Sequence, residues 1–278
     1  MARNPFAKVK RSDASTVEQP LNTAAAEKRP RTRWVWMFYS SLAYLAGLLV
    51  SLYSVAFFGN LGLAQSLDSP ARSNVALAML FNVIWLLLFG VQHSAMARPA
   101  FKKWLSGFVP RSAERSTYVL LSSVLMVLLF VAWQPVDGEI WNVRWGVLAR
   151  FLWAFYFGGW AVMLWAVWTM NHWEMLGMRQ AQLCFAGRPY APLPLKLPGL
   201  YRWVRHPMYL GWLIVFWATP IMTVGHFCLS IGLSCYILLA VRWEERDLLA
   251  LYGTAYEDYR QKVPSLVPGL NLLTTNRR

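Results

Sequence analysis

Long apolar runs constrain this chain more than any other feature of its sequence. Most are about 20 residues long, the length that a helix needs to cross the ~30 Å hydrocarbon core of a bilayer. With 57% hydrophobic and only 14% charged residues, the chain is predicted to be an all-α, polytopic integral membrane protein. The runs lie at about 34–58, 75–91, 117–133 and 147–170, with two shorter ones at about 207–219 and 226–241.

The charged residues predict how the chain is oriented in the membrane. The formal net charge is +14, and the Lys and Arg residues collect in the N-terminal tail, in residues 98–115, in residues 171–206 and in the C-terminal tail. Because basic loops stay in the cytoplasm, we expect six spans with both termini cytoplasmic, in a bacterial inner membrane. The last two runs are short, so five crossings plus a C-terminal helical hairpin is the alternative. Membrane topology accounts for the charge, so no nucleic acid partner is expected.

The remaining composition divides the chain into one domain and two tails. Residues 1–33 are polar and basic and are predicted to form a disordered tail against anionic lipid. Residues 34–270 form the membrane domain, and residues 271–278 form a C-terminal tail. Three cysteines without paired spacing and four histidines without an HExxH pattern give no support for a metal site. No obligatory protein partner is indicated besides the bilayer.

The stretch from Arg202 to Trp212 places polar groups at the start of an apolar helix. Pro207 is tolerated in the first turn of a helix, where its missing N–H costs nothing. Arg205 and His206 therefore come just before that helix. Free N–H groups and the helix dipole favour an anion there, and an arginine adds a bidentate carboxylate clamp. The sequence predicts a site for an anionic group at the edge of the membrane.

Two motifs in this part of the chain resemble a known family. The run Arg205–Gly211 reads RHPMYLG, and Glu244–Tyr259 reads EERDLLALYGTAYEDY, followed by Val263 and Pro264. Together they resemble the C-terminal signature of the isoprenylcysteine carboxyl methyltransferase and phospholipid methyltransferase group of membrane enzymes. The segment Gln92–Arg98, QHSAMAR, is similar to a bacterial branch that contains methanethiol S-methyltransferases and NnrU-type membrane proteins.

The resemblance implies a cytoplasmic site for S-adenosylmethionine. Arg205 with His206 would clamp its carboxylate, and a glutamate would accept its ribose hydroxyls. Glu244 and Glu245 point about 100° apart on a helix, so we expect one of them, Glu245 by the resemblance, to face the site. The alternative is that both pair with neighbouring arginines. The predicted cofactor-binding residues are Arg205, His206, Tyr209, Gly211, Glu244, Glu245 and Tyr256.

The implied reaction is methyl transfer to a small thiol, namely methanethiol to dimethyl sulfide. A thiol must lose its proton to react, and a histidine or a buried carboxylate suits that role. His93, His172 and Glu174 are the candidate catalytic residues, although each also fits a structural place at a helix end. The alternatives are a methyltransferase for a lipid or isoprenyl-linked acceptor, or a non-enzymatic NnrU-like accessory protein. Haem binding through His93 and His172 is the weakest alternative.

Overall fold

The computed structural model describes residues 32–191, 193 and 197–269. The predicted tails at 1–33 and 271–278 therefore lie almost wholly outside the described residues. The elements in chain order are α1 (Arg33–Phe58), α2 (Val75–Ala97), α3 (Pro99–Leu105), α4 (Arg111–Ala132), β1 (Glu139–Asn142), α5 (Gly146–Thr169), α6 (His172–Met175), α7 (Met178–Phe185), a 3-10 helix (Gly199–Arg202), α8 (Pro207–Trp217), β2 (Ile221–Thr223), α9 (Val224–Tyr252) and α10 (Thr254–Lys262).

The predicted all-α, membrane-spanning fold is confirmed. Among the described residues, α1, α2, α4, α5 and α9 are the five helices long and apolar enough to cross a membrane. The predicted fifth span is only the 11-residue α8, about 16 Å long at 1.5 Å per residue, which is too short to cross as a helix. The predicted sixth span is longer than expected, because α9 has 29 residues. The C-terminal hairpin thus has one short arm and one long arm.

A short antiparallel sheet completes the short arm. β2, which directly follows α8, pairs with β1 from the α4–α5 connection. Extended residues therefore carry the chain from the end of α8 to the side of the molecule where α4 ends. We call this side the hairpin face, and it also holds the α1–α2 loop, residues 59–74. The opposite side holds the end of α2, the starts of α1 and α4, and α10, and we call it the basic face.

Two glycines let α5 and α8 cross in backbone contact. A Cβ atom built on Gly159 would lie 2.9 Å from the carbonyl oxygen of Gly211, and one built on Gly211 would lie 2.7 Å from that of Gly159. Neither distance leaves room for a methyl group. The structure thus gives Gly211 a packing role, and its predicted part in cofactor binding stays a prediction. The close crossing fixes the position of the first turn of α8.

A buried polar network locks the hairpin face. Asp68, in the α1–α2 loop, contacts His226 Nδ1 at 2.8 Å and accepts hydrogen bonds from Thr223 at 2.6 Å and Asn60 at 2.6 Å. The other ring nitrogen of His226 lies 3.1 Å from the Phe216 carbonyl oxygen. Burial alone would raise the pKa of Asp68, but these partners outweigh it and hold the pKa below its ordinary value. The network ties the α1–α2 loop to the start of α9.

The helix crossing predicts opposite outcomes at two adjacent glycines. Gly159→Ala should lower the free energy of unfolding by about 1–3 kcal/mol, because the new methyl group meets the backbone of α8. Gly158→Ala is the matched control, because a Cβ at Gly158 meets nothing within 4 Å and alanine is the better helix former. Thermal unfolding of both variants in detergent measures the difference. Equal stability of the two would refute the backbone contact.

The Asp68 network predicts acid sensitivity. Because the folded-state pKa of Asp68 lies below the reference value of 3.8, its stabilisation is present above that pH and is lost as the pH falls through the folded-state pKa. Asp68→Asn should cost about 3 kcal/mol at neutral pH and flatten the loss of stability below about pH 4. The exposed Asp137, which accepts the Ala71 N–H on the same face, supplies the control Asp137→Asn. A full acid-induced loss in Asp68→Asn would contradict the assignment.

Candidate functional site

A buried ion pair joins the two halves of the predicted signature. The carboxylate of Glu245 on α9 accepts from Arg205 Nε at 2.8 Å and lies 2.7 Å from its terminal nitrogen Nη2. The same oxygen lies 3.0 Å from Nε2 of His206. Arg205 is 1% exposed and Glu245 is 8% exposed, measured on their side chains. A guanidinium and an imidazole therefore converge on one buried carboxylate next to the first turn of α8.

Arg205 also holds the C-terminal segment in place. Its Nη1 donates to the carbonyl oxygens of Arg260, at 2.8 Å, and Val263. The backbone N–H of Arg205 donates to Pro264, and that of His206 donates to Ser265. We call residues 260–266 the C-terminal strap. Three of the five guanidinium N–H groups therefore donate hydrogen bonds to protein acceptors, and Nη2 completes the ion pair with Glu245. These contacts make Arg205 the residue that positions the strap against α8.

Glu244 occupies a different place from its neighbour. Its carboxylate lies 3.8 Å from Nδ1 of His206, and its side chain is 44% exposed. Tyr209 stacks on the His206 ring with centroids 5.7 Å apart and lies close enough to Glu244 for a direct electrostatic interaction. Both glutamates thus contact the His206 ring, one buried and one accessible to a ligand. The prediction that only one of the two glutamates, Glu245, faces the cofactor stays a prediction.

Two buried hydroxyl groups flank the ion pair without partners. Within the described ranges, Tyr256 Oη and Ser265 Oγ are buried and have no hydrogen-bond partner. Burial raises the pKa of Tyr256, and the Glu245 carboxylate raises it further, so the phenol keeps its proton as a donor. Buried hydroxyl groups in folded proteins are nearly always paired. The two unpaired groups indicate a place where a polar ligand completes the site, and they fit a cofactor rich in hydroxyl, amino and carboxylate groups.

His93 lies in a polar cluster between α2 and α4. Tyr118 Oη lies 2.6 Å from its Nε2, and Ser122 Oγ lies 3.3 Å from its Nδ1. Tyr118 in turn is within electrostatic range of Glu244. His93 is therefore connected to the edge of the Arg205–Glu245 site through residues of α4 and α9.

His172 and Glu174 lie in a second cluster, around α6. His172 stacks on Trp168 with centroids 4.7 Å apart, and its Nδ1 lies 2.9 Å from Tyr44 Oη. The carboxylate of Glu174 accepts from Arg179 at 2.7 Å and from Tyr190 at 2.5 Å. Burial and that bond with Glu174 raise the pKa of Tyr190 to about 12. Through these contacts the cluster joins α1, α5 and α7 and is built from residues other than those around Arg205.

The sequence did not point to several residues that shape the site. The strap binds Arg205 through backbone carbonyl groups, which every residue type has, so its sequence does not indicate this role. Ser265 is an isolated serine that follows Val263 and Pro264. Tyr118 is 25 residues from His93 along the chain, so no motif spacing connects them. In the described part of the chain, no group of three or more His, Cys, Asp and Glu residues is placed to share a metal ion.

Comparisons with known proteins agree with this geometry. Residues 191–250 match the isoprenylcysteine carboxyl methyltransferase (ICMT) family, a range that contains Arg205, His206, Glu244 and Glu245. No solved structure matches the chain.

Relatives cover most of the chain. The methanethiol S-methyltransferase of Mycobacterium tuberculosis (strain ATCC 25618 / H37Rv) is 43% identical over 236 residues, which are 85% of this chain and 97% of that protein. The protein of the same name from Crocosphaera subtropica is 42% identical, over 84% of this chain and 91% of its own length. A Nurim homolog of Drosophila melanogaster is 28% identical, over 75% of this chain and 91% of its own length.

The family match thus contains the ion pair, and the relatives align with nearly the whole described membrane domain. The chain belongs to the methanethiol S-methyltransferase family of membrane methyltransferases.

Proposed function

We propose that this protein transfers a methyl group from S-adenosylmethionine to a small thiol, and that the thiol is methanethiol, which becomes dimethyl sulfide. The observation that carries the proposal is the Arg205–Glu245–His206 cluster with its two unpaired hydroxyl groups. The names of two relatives, both methanethiol S-methyltransferases, support the acceptor. The bound cofactor supplies a methyl group on a sulfonium, and the protein must hold and align both reactants.

Different residues on the basic face would bind different parts of the cofactor. Tyr256 Oη and Ser265 Oγ are free to donate or accept a hydrogen bond at its polar end. Glu244, which is half exposed, can accept from ribose hydroxyls or from the amino group. Arg205 and Glu245 are engaged with each other and with the strap, so we propose that they set the shape of the site. Any cofactor carboxylate would meet His206 and the remaining guanidinium N–H.

Aromatic packing beside the site favours a small acceptor. Trp212, on α8, contacts Trp160 with ring centroids 5.0 Å apart, Phe216 at 5.5 Å and Phe58 at 6.1 Å. These rings fill the space between α1, α5 and α8. Large rings that exclude water also suit a thiolate–sulfonium reaction, and we propose a small thiol on this ground.

His93 is our candidate for the group that finally holds the thiol proton. It is linked through Tyr118 to Glu244 at the edge of the cofactor site. For Glu174 we propose a positioning role, because its carboxylate already binds Arg179, Gln180 and Tyr190. For His172 the predicted catalytic role stays a prediction.

We further propose that the basic face is cytoplasmic in a bacterial inner membrane. The first described residues and the strap lie on the same face, which agrees with two termini on one side. The relatives from bacteria support the location. A charged cofactor made in the cytoplasm would then reach the site without crossing the bilayer.

The reaction itself is the first prediction from this proposal. Purified protein in detergent, given S-adenosylmethionine and methanethiol, should release dimethyl sulfide, measured by headspace gas chromatography. Glu244→Gln should lower kcat/KM about 10- to 100-fold, because a hydrogen bond to a charged group contributes about 1.5–3 kcal/mol. Asp247→Asn is the control, because Asp247 is an exposed carboxylate on the same helix as Glu244 and is paired with Arg98. This variant should keep wild-type activity. If the protein binds S-adenosylmethionine but forms no dimethyl sulfide, the methyl acceptor is a different compound. If folded protein neither binds the cofactor nor forms dimethyl sulfide, the proposed methyltransferase activity is refuted.

The unpaired hydroxyl groups generate the second prediction. Tyr256→Phe and Ser265→Ala should each weaken S-adenosylmethionine binding about 2- to 10-fold, since one hydrogen bond contributes about 0.5–1.5 kcal/mol. Neither should lower the thermal stability of the protein without ligand, because no internal bond is lost. Tyr259→Phe is the matched control, since its hydroxyl already donates to the Tyr201 carbonyl at 2.6 Å. Tyr259→Phe should lower the thermal stability and leave the affinity for S-adenosylmethionine unchanged. If calorimetry shows weaker cofactor binding in Tyr259→Phe and unchanged binding in Tyr256→Phe and Ser265→Ala, the assignment is contradicted.

A further inference from the structure

Tyr118 stands between His93 and the cofactor side of the basic face. It lies on α4, one turn after Arg115, and its hydroxyl oxygen is 2.6 Å from His93 Nε2. The Arg115 guanidinium carbon is 4.9 Å from the centre of the Tyr118 ring. Tyr118 therefore contacts His93 and Arg115, and it lies within electrostatic range of Glu244 on α9 and Tyr209 on α8.

The surroundings of Tyr118 are rich in groups that handle protons. Tyr236, on α9, has its hydroxyl 3.0 Å from Ser94 Oγ. Tyr209, on α8, lies within electrostatic range of Tyr118, Tyr236 and Glu244. The ionisable groups that face Tyr118 are His93 on α2, Arg115 on α4, Tyr209 on α8, and Tyr236 and Glu244 on α9.

The Tyr118 hydroxyl oxygen lies against one edge of the His93 ring, 2.6 Å from Nε2 and 3.0 Å from Nδ1. A phenol is a stronger donor than a neutral imidazole, so we assign the shorter contact as a hydrogen bond from Tyr118 to Nε2. Nδ1 then carries the hydrogen and donates to Ser122 Oγ at 3.3 Å. Ser122 in turn donates to Gln92 Oε1 at 3.4 Å. In this arrangement the lone pairs of the Tyr118 oxygen face away from the imidazole and can accept another proton.

We propose that Tyr118 is a catalytic residue that contacts the thiol and relays its proton to His93; this inference rests on the proposed thiol methyltransferase function. The S–H bond breaks and its proton goes to Tyr118 Oη, while the phenolic proton of Tyr118 moves to His93 Nε2. The sulfur electron pair forms the new bond to the methyl carbon, and the electrons of the broken carbon–sulfonium bond stay on the donor sulfur. His93 then releases the Nε2 proton to solvent, which restores the Nδ1–H tautomer for the next turnover.

Arg115 explains why a phenol can serve here. Any negative charge that builds up on Tyr118 during the relay lies beside the guanidinium, which favours it electrostatically. Arg115 is itself fixed, because its Nε donates to the carbonyl oxygen of Met175 at 2.8 Å. Met175 is the last residue of α6, the helix that begins at His172. The Met175 carbonyl therefore positions Arg115 beside Tyr118.

The experiment compares two tyrosine–histidine pairs in the same protein. Tyr118→Phe should lower kcat for methanethiol at least 100-fold at neutral pH and leave the KM for S-adenosylmethionine within about twofold. The deficit should shrink as the pH rises, because the thiol then ionises in solution and needs no relay. An aromatic thiol of lower pKa should restore turnover in the same way. A purely structural defect would respond to neither change.

Tyr44→Phe is the matched control, because Tyr44 Oη makes the equivalent contact, 2.9 Å, with Nδ1 of His172. It should keep the wild-type pH profile. If Tyr44→Phe shows the alkaline rescue and Tyr118→Phe does not, the relay runs through His172 and the proposal is overturned. If Tyr118→Phe retains full turnover in protein that makes dimethyl sulfide, Tyr118 is not catalytic although the methyltransferase function stands.

A second readout does not depend on turnover. The chain has four histidines, so ¹⁵N spectra of histidine-labelled protein can be assigned with His93→Gln. We expect the wild type to show His93 as the Nδ1–H tautomer. In Tyr118→Phe that signal alone should shift, because Nε2 loses its donor. A His93 signal that is unchanged by Tyr118→Phe would contradict the hydrogen bond on which the relay depends.

Discussion

The ion pair between Arg205 and Glu245 is the interaction on which the rest of the site depends. A buried charge pair is stable only when its remaining hydrogen-bonding groups are also satisfied, and here His206 and the carbonyl groups of Arg260 and Val263 satisfy them. One guanidinium thus joins the start of α8, the long helix α9 and the C-terminal strap. Removing either charge would release all three elements together, so the residues that look most like ligands also serve as the scaffold of the site.

The hairpin face and the basic face of the membrane domain differ in how completely their polar groups are paired. On the hairpin face, Asp68 and its partners are fully engaged, and the β1–β2 pairing joins the α4–α5 connection to the segment between α8 and α9. At the α5–α8 crossing, paired glycines hold the first turn of α8 in backbone contact with α5. These rigid features let the basic face keep half-exposed and unpaired groups such as Glu244 and the Tyr256 hydroxyl. A site needs such groups to bind a ligand, and it can hold them in place because the rest of the fold is well determined.

The chemistry proposed here requires little from the protein beyond placement and proton transfer. A thiolate and a methyl sulfonium attract each other strongly where water is excluded, and the aromatic rings around Trp212 exclude it. The remaining difficulty is the thiol proton, which the Tyr118–His93 pair can accept while Arg115 favours the developing charge. His172, although it has a similar tyrosine partner, lies in the cluster that holds α6 against α1 and α5. The structure therefore separates two histidines that the sequence alone treats as equivalent.

The sequence by itself determined the membrane fold, four of the five long helices and the two motifs, because apolar runs and local motifs are properties of neighbouring residues. It predicted Pro207 at the start of α8 for the same reason. It predicted the fifth long helix, α9, too short. It could not show how α8 is held in place, because the glycine crossing with α5 and the β1–β2 pairing are both long-range contacts. Nor could it show that Arg205 is occupied by Glu245 and the strap, that Ser265 and Tyr256 are left unpaired, or that Tyr118 meets His93. Those facts depend on which residues the folded chain brings together from distant positions, and only the tertiary structure decides that.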